Sequence, residues 1–342
     1  MPSGDARPVR APSRSGVETR PRRDDSRPTS HDYVVTRIPR HPPAATEPTR
    51  PSVALAAATS ALARAGVGPA RAEAELLLAY VLGVSRGALA VAGPLGPEQR
   101  DRLAELVERR TRHEPLQHLL GSAAFRYLEL AVGPGVFVPR PETELLAGWG
   151  VEQARRAGVD PAGGGPVVVD LCSGSGAIAL SVAAEVPGAR VVAVERSAAA
   201  LEWLRRNAAE RAGAGDPPIE VVAGDVADPE LLAGYVGRVD VLLCNPPYVP
   251  DGTPVPPDVA GHDPADAVFG GPDGLAVIRL VRDRAARLLR PGGAFGVEHD
   301  DTHGTAVPEL LRADGRFVGI EEHPDLVGRP RFATARRADA RS

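Results

Sequence analysis

The sequence predicts an α/β protein: an open, mainly parallel sheet covered by helices on both faces, preceded by a small helical domain and a β-hairpin connector. Three observations carry this. From residue 166 onward, short apolar runs alternate with helical patterns, as in a sheet buried on both sides. Residues 51–115 place apolar side chains at helical spacing, as in Ala72–Leu82 and Pro97–Arg112, punctuated by Gly66, Gly83, Gly93 and Gly96. Residues 116–140 instead carry β-formers, FRYLELAV and then GVFVPR, and read as a hairpin or connector.

In chain order, the predicted strands are Pro166–Leu171, Arg190–Glu195, Ile219–Ala223, Val239–Cys244, Gly293–Glu298, Phe317–His323 and Arg331–Arg336. The predicted helices are Leu145–Ala157, Ala177–Glu185, Ala198–Ala212, Leu275–Leu289 and Thr305–Ala313, with a long Pro-rich loop between 245 and 272. Pro141 suits the first turn of the first of these helices, with acidic residues near its positive end. The expected organisation is a disordered tail (1–50), a helical domain (51–115), a connector (116–140), a catalytic domain (141–337) and a short tail (338–342).

Composition excludes several classes. The chain has 342 residues, about two domains at roughly 150 residues each. A net charge of −4 supplies no global basic field for a polyanion. No apolar run of about 18 residues suggests a membrane span. The N-terminus lacks the apolar centre of a secretory signal, so a cytoplasmic location is expected. Two cysteines, Cys172 and Cys244, rule out a disulfide scaffold. All 40 basic residues are arginine, which removes lysine Schiff-base chemistry and the Walker P-loop. Residues 1–50 hold ten Arg against six Asp and Glu and read as a solvated extension.

The first strand of the sheet runs into Asp170-Leu171-Cys172-Ser173-Gly174-Ser175-Gly176 and then a helix. Gly174 and Gly176 permit a tight turn and close approach to a ligand, and the helix start offers N–H groups to an anion. Glu195 ends the next strand, 19 residues after Gly176, where an acid can accept ribose hydroxyls. Gly174-x-Gly176-x-x-Ala179 also satisfies the dinucleotide fingerprint, so the loop alone leaves pyrophosphate and the carboxylate of S-adenosylmethionine both open.

A second feature separates them. Gly224-Asp225 closes the third strand, where a carboxylate and backbone can meet an adenine edge, and the fourth ends in Asn245-Pro246-Pro247-Tyr248. An amide nitrogen is a poor nucleophile because its lone pair is delocalised. To accept a methyl group its N–H₂ must be held. The Asn245 side-chain oxygen takes one N–H and the Pro246 carbonyl the other. Neither proline donates and both stiffen the backbone, while Tyr248 packs on the flat group. Orientation of this kind is worth up to ~7–11 kcal/mol.

With Cys172–Gly176, Asn245–Tyr248 resembles the class I methyltransferases that modify planar nitrogens. Four further stretches narrow the resemblance to the HemK/PrmC-type release factor glutamine methyltransferases. They are Glu114–His118 with Gly121 and Phe125; Val136–Glu144, which contains PRPETE; Asp263–Ala267 with Gly270–Leu275; and Asp325–Arg331. It covers about residues 52–337. It implies a Rossmann-like sheet of seven strands, the last antiparallel, and S-adenosylmethionine as cofactor. The implied substrate is the side-chain amide (N5) of the glutamine in the Gly-Gly-Gln loop of peptide chain release factors. By position, Cys172, Ser173, Gly174, Ser175, Gly176, Glu195 and Val226 line the cofactor, joined by Asp170 and Asp225. Asn245, Pro246, Pro247 and Tyr248 hold the glutamine, with Asn245 touching both ligands. The helical domain grips the release factor.

The chain departs from the family pattern at Cys172 (glycine in many members, so that its side chain must point away from the cofactor), Glu195 (commonly aspartate), Val226 (aromatic in some), Asp263 (glutamate) and His299-Asp300-Asp301. Arg140 is expected either to orient the incoming loop or to pair with Glu142 or Glu144. His299 and His303, four apart, would form a metal pair on a helix, but no third ligand is evident and no metal is expected. Cys172 and Cys244, at neighbouring strand ends, read as inert thiols rather than a redox switch. The expected protein is a monomer with no stable nucleic-acid binding. The competing readings are methylation of a ribosomal-protein glutamine or a nucleic-acid base, a non-catalytic cofactor-binding partner of translation, and an NAD-linked oxidoreductase.

Overall fold

The computed structural model describes residues 48–158 and 164–339, all within one compact unit spanning Glu47–Ser342. The tail expected over residues 1–50 lies almost wholly outside them.

Helices α1 (Pro51–Arg64), α2 (Ala70–Leu82) and α3 (Pro97–Thr111) form the first layer, with a 3₁₀ turn at Arg86–Val91. Proline opens α1 and α3, where a missing N–H costs nothing. Leu62, Leu77, Leu78, Leu95 and Leu106 are fully buried between them. Inside this layer Arg110 donates to both carboxylate oxygens of Glu73 at 2.5 and 3.2 Å, with both residues buried. Helix α4 (Leu116–Leu120) follows, in the stretch read from sequence as the start of a β connector. Its apolar Leu116 and Leu119 pack into the helical core, and the β-formers of the connector begin only after it.

The hairpin itself is β1 (Ser122–Phe125) with β2 (Leu128–Ala131), paired antiparallel. Arg126 in its turn donates to both oxygens of Glu185 at 2.6 and 2.8 Å.

Helix α5 (Thr143–Ala157) leads into the sheet. Its elements are β3 (Val167–Leu171), α6 (Ala177–Glu185), β4 (Arg190–Glu195), α7 (Ala198–Gly213), β5 (Glu220–Ala223) and β6 (Val239–Cys244). Then come α8 (Pro257–His262), α9 (Ala265–Val268), α10 (Ala276–Leu288), β7 (Leu289–Glu298), α11 (Ala306–Asp314), β8 (Phe317–Pro324) and β9 (Pro330–Arg337). Helices α8 and α9 lie inside the stretch expected to be an irregular Pro-rich loop. Each starts after a proline that presets the backbone.

The strand order is β5-β4-β3-β6-β7-β9-β8; β9 runs antiparallel to both neighbours and every other pairing is parallel. Period-2 alternation splits the core into two layers. Val168, Val191, Ala193, Val241 and Leu243 face α5 and α6, whereas Val169, Val192, Val194, Leu242 and Cys244 face α10 and α11. Chain direction across the sheet reverses between β3 and β6, the switch point where ligands of such sheets bind.

Removing one member of a buried ion pair strands the other charge. Glu73→Ala should therefore cost the protein ~3–5 kcal/mol in a denaturant titration; a loss below ~1 kcal/mol would mean the pair is solvated.

Candidate active site

The carboxyl ends of β3, β4, β5 and β6 open into a cavity of about 690 Å³, within the ordinary range for a small-molecule site. Cys172, Ser173, Gly174 and Ser175 line it from the first loop, Glu195 from the second strand end, and Asp225 and Val226 from the third. Asn245, Pro246, Pro247 and Tyr248 line it from the fourth, and Arg140 from the connector. Two residues expected at the cofactor are absent from the lining of this cavity. Asp170 is fully buried behind the loop, where its Oδ2 accepts the Ala179 N–H at 3.2 Å. Gly176 lies against the core: a Cβ there would meet Leu204 Cδ1 at 2.6 Å. Both support the turn from its inner side.

Gly174 has φ +56°, and a Cβ built on it meets nothing within 4 Å, so a side chain here would enter the cavity. Its N–H donates to Glu195 Oε2 at 2.9 Å, and the N–H groups of Arg196 and Ser197 donate to Oε1 at 2.8 Å. Glu195 thus ties the first loop to the second strand end. A carboxylate has about four acceptor sites, so room remains for about one more donor rather than a free pair for a diol. Asn207 on α7 anchors the same loop from behind: its amide bonds the Ala131 N–H and C=O at 2.8 and 3.0 Å and the Ser175 carbonyl at 2.9 Å.

Cys172 adopts φ +57°, a conformation in which a glycine would be unstrained. It packs beneath the loop against the core layer that also holds Cys244, and burial, reinforced by the Cys172 thiol, pushes the Cys244 thiol far up. Val226 is buried and makes one apolar wall. Asp225 caps its own turn through the Ala227 N–H at 2.8 Å and lies 3.7 Å from Arg196.

Over the mouth runs the segment between β6 and α10. Val249 and Phe269 bridge it in parallel, and a Cβ on Gly274, at φ +71°, would sit 2.3 Å from the Tyr248 carbonyl. The glycine lets this segment close against the tetrapeptide. Arg140 secures it by donating to Asp263 Oδ2 at 2.6 Å, and its guanidinium lies 4.8 Å from the Phe137 ring. The expected partners Glu142 and Glu144 are not used; Glu144 instead accepts the Arg126 N–H at 3.0 Å in the hairpin turn.

At the tetrapeptide, Asn245 Nδ2 donates to Thr143 Oγ1 at 3.1 Å, and Tyr248 OH donates to Glu298 Oε1 at 3.0 Å. Thr143 and Glu298 both line the cavity and were not singled out from sequence. A signal existed for Glu298: it is an acid at the carboxyl end of an apolar strand, the position at which such sheets present ligand-binding groups. Burial raises its carboxyl to about 7 against the Thr143 and Tyr248 hydroxyls and Arg331, which favour the ionised form. Burial likewise lifts Asp170 to about 7, and its Oδ1 has no partner.

His299 follows β7, with Nε2 2.9 Å from Glu322 Oε2, and His303 lies on a separate 3₁₀ turn, so the two share no helix face. No group of three potential metal-ligating side chains occurs among the described residues, and none of their helices is long and apolar enough to cross a membrane.

A sheet with only its last strand reversed, carrying a glycine loop and a carboxylate at its first two strand ends, defines a class I S-adenosylmethionine-dependent methyltransferase. Two family models match: "PrmC N-terminal domain" over residues 53–121, which takes in α4, and "Methyltransferase small domain" over 161–258. The chain is 50% identical to the release factor glutamine methyltransferase of Mycolicibacterium smegmatis over 84% of its own length and 98% of that protein. It is 48% identical to the enzyme of that name from Streptomyces coelicolor, over 83% and 97%. It is 40% identical to a 4-amino-L-phenylalanine/4-methylamino-L-phenylalanine methyltransferase of Streptomyces pristinaespiralis, over 79% and 90%. The chain belongs to the release factor glutamine methyltransferase family.

The residues present fit the cofactor: an open-sided glycine, first-turn N–H groups of α6 without partners inside the helix, and an apolar wall at Val226. Asp170, raised to about 7 in the fold from an ordinary 3.8, stabilises the native state below about pH 4 and loses that contribution as pH rises to 7. Asp170→Asn should therefore flatten the fall in Tm between pH 4 and pH 8, read by calorimetry; an unchanged slope would show that Asp170 titrates normally.

Proposed function

We propose that this protein methylates the side-chain amide nitrogen of the glutamine in the Gly-Gly-Gln loop of peptide chain release factors, using S-adenosylmethionine. Family membership supports the reaction, and one observation carries the site. Asn245 commits its Nδ2 to Thr143, which leaves Oδ1 without a partner among the described residues, and Asn245 and Pro246 both line the cavity.

Bound S-adenosylmethionine supplies an electrophilic methyl group on a sulfonium. The protein's own residues hold the acceptor. Asn245 Oδ1 and the Pro246 carbonyl each take one amide N–H, which keeps the nitrogen's lone pair directed across the cavity. As the nitrogen bonds to carbon its N–H groups become more acidic, so both acceptors bind more strongly in the transition state than in the ground state. Tyr248, its hydroxyl tied to Glu298, offers its ring to the flat amide. Glu195 takes a ribose hydroxyl, Asp225 and Val226 meet the adenine, and the loop from Cys172 to Ser175 holds the methionine end. Arg140, paired with Asp263, steadies the segment over the incoming glutamine. No general base is required, because the methylated amide loses its extra proton readily.

In the same reading, residues 51–115 grip the release factor, the chain works as a monomer in the cytoplasm, and nucleic acid is not held stably. The relative acting on 4-amino-L-phenylalanine favours one second reading, a small aromatic amine as acceptor.

Incubation with purified release factor and labelled cofactor, followed by mass mapping, should place one methyl group on the Gly-Gly-Gln glutamine. Label on free 4-amino-L-phenylalanine instead, or on no residue of that loop, would overturn the assignment. Asn245→Ala should lower kcat by roughly 10²-fold or more, with a smaller loss of cofactor affinity by calorimetry. Undiminished turnover would remove Asn245 from the mechanism.

A further inference from the structure

Asn245 can present either end of its carboxamide to a substrate, and only the oxygen end serves an N–H₂ acceptor. Rotating the amide by half a turn would set an N–H₂ against an N–H₂ and abolish the site. Something must hold it.

The hydroxyl of Thr143, first residue of α5, receives Asn245 Nδ2 at 3.1 Å. A hydroxyl has one proton, and if Thr143 spends it elsewhere, it faces Asn245 as an acceptor only. Glu298, at the end of the β7 strand against which α5 packs, lines the same cavity wall, and the Thr143 hydroxyl favours its ionised form. Glu298 is 1% exposed, its Oε1 accepts from Tyr248, and its Oε2 has no hydrogen-bond partner. An unpartnered buried carboxylate oxygen is a costly acceptor, so the Thr143 proton has a strong reason to turn toward it.

We infer that Thr143 and Glu298 are positioning residues, which fix the Asn245 carboxamide with its oxygen toward the substrate by drawing the Thr143 proton away from it. The inference rests on the proposed amide acceptor and adds what enforces its geometry. The ionised carboxylate takes a proton from Thr143 and another from Tyr248, so one group sets both the amide and the aromatic ring of the tetrapeptide. Protonated Glu298 becomes a donor. One hydroxyl must then turn round, and when Thr143 does so it can donate to Asn245, favouring the wrong end.

The charged and titratable groups around Glu298 are Arg331 from β9 and Glu142 ahead of α5, with Tyr248 from the tetrapeptide. Beyond Tyr248 lies Asp300 after β7, which in turn faces His303. Arg331 favours the ionised form and Glu142 opposes it. Burial dominates and puts the transition near pH 7, so the oriented state gains population as pH rises through that value.

The test uses the whole chain in four forms: wild type, Thr143→Val, Thr143→Ser and Glu298→Gln. With the release factor as substrate, Thr143→Val should lose about tenfold or more in kcat with the KM for cofactor unchanged, and Thr143→Ser should recover most of it. Wild-type kcat should rise with pH through about 7, and Glu298→Gln should abolish that rise. A second arm needs no substrate: the Asn245 side-chain N–H₂ resonance, assigned by its loss in Asn245→Ala, should shift with the same midpoint. That shift should vanish in Glu298→Gln and in Thr143→Val. Thr143→Val at wild-type kcat, or an Asn245 resonance indifferent to pH and to both substitutions, would overturn the inference. Failure of the wild type to modify the release factor would count against the proposed function, while the spectral arm still decides the relay.

Discussion

Reversal of strand order between β3 and β6 is the constraint on which the site depends. Leu171 pairs with Cys244 at that junction, so the glycine loop and the tetrapeptide leave the sheet side by side although they are separated by some seventy residues of chain. Helices after β3 and β4 go to one side and those after β6 to the other. The carboxyl ends are left uncovered between them, as the handedness of parallel crossovers requires. Everything else closes that gap: α5 and the connector from one side, and the segment held by Arg140 and Asp263 from above.

The gap is kept in shape by polar groups whose partners come from distant parts of the chain. Asn207 bonds the hairpin and the glycine loop at once, and Glu195 collects three backbone N–H groups from two loops. Such ties are worth about 1 kcal/mol each in net terms, but leaving any buried member unsatisfied costs more. They act mainly as restraints on geometry. Two carboxyls, Asp170 and Glu298, are buried beside the cavity with one oxygen each unpartnered. This is the form in which active sites commonly store incomplete solvation.

Much of this was legible before any coordinates. The seven strands, their limits to within a few residues and the direction of the last follow from apolar period and from the family resemblance. The tetrapeptide and glycine loop stand in the cavity as expected. The misses have physical causes. Helix α4 was grouped with the connector because the β-formers that follow it, FRYLELAV and GVFVPR, were weighed without the helical core that Leu116 and Leu119 join. Asp170 and Gly176, expected at the cofactor, lie outside the cavity lining, because motif position says nothing about which side of a turn a residue faces. Of the two expectations for Arg140, the pairing with Glu142 or Glu144 is not what forms; its partner is Asp263, 123 positions away. Thr143 and Glu298 escaped notice because each is unremarkable alone and acquires meaning only by proximity.

By itself the sequence determined what local chemistry and periodicity can specify: alternating strands and helices, a turn that only small residues allow, and a Pro-Pro stretch that stiffens two acceptors. Those properties are short-ranged and are written in neighbouring residues. Only the tertiary structure decided that both oxygens of Glu195 are already engaged, which end of Asn245 is free, and where Arg140 finds its counter-charge. Hydrogen bonds act over about 3 Å, and the groups that meet at that distance are drawn from α5, β4, β6, β7 and the segment after β6. No spacing along the chain encodes such meetings until the sheet has brought its strand ends together.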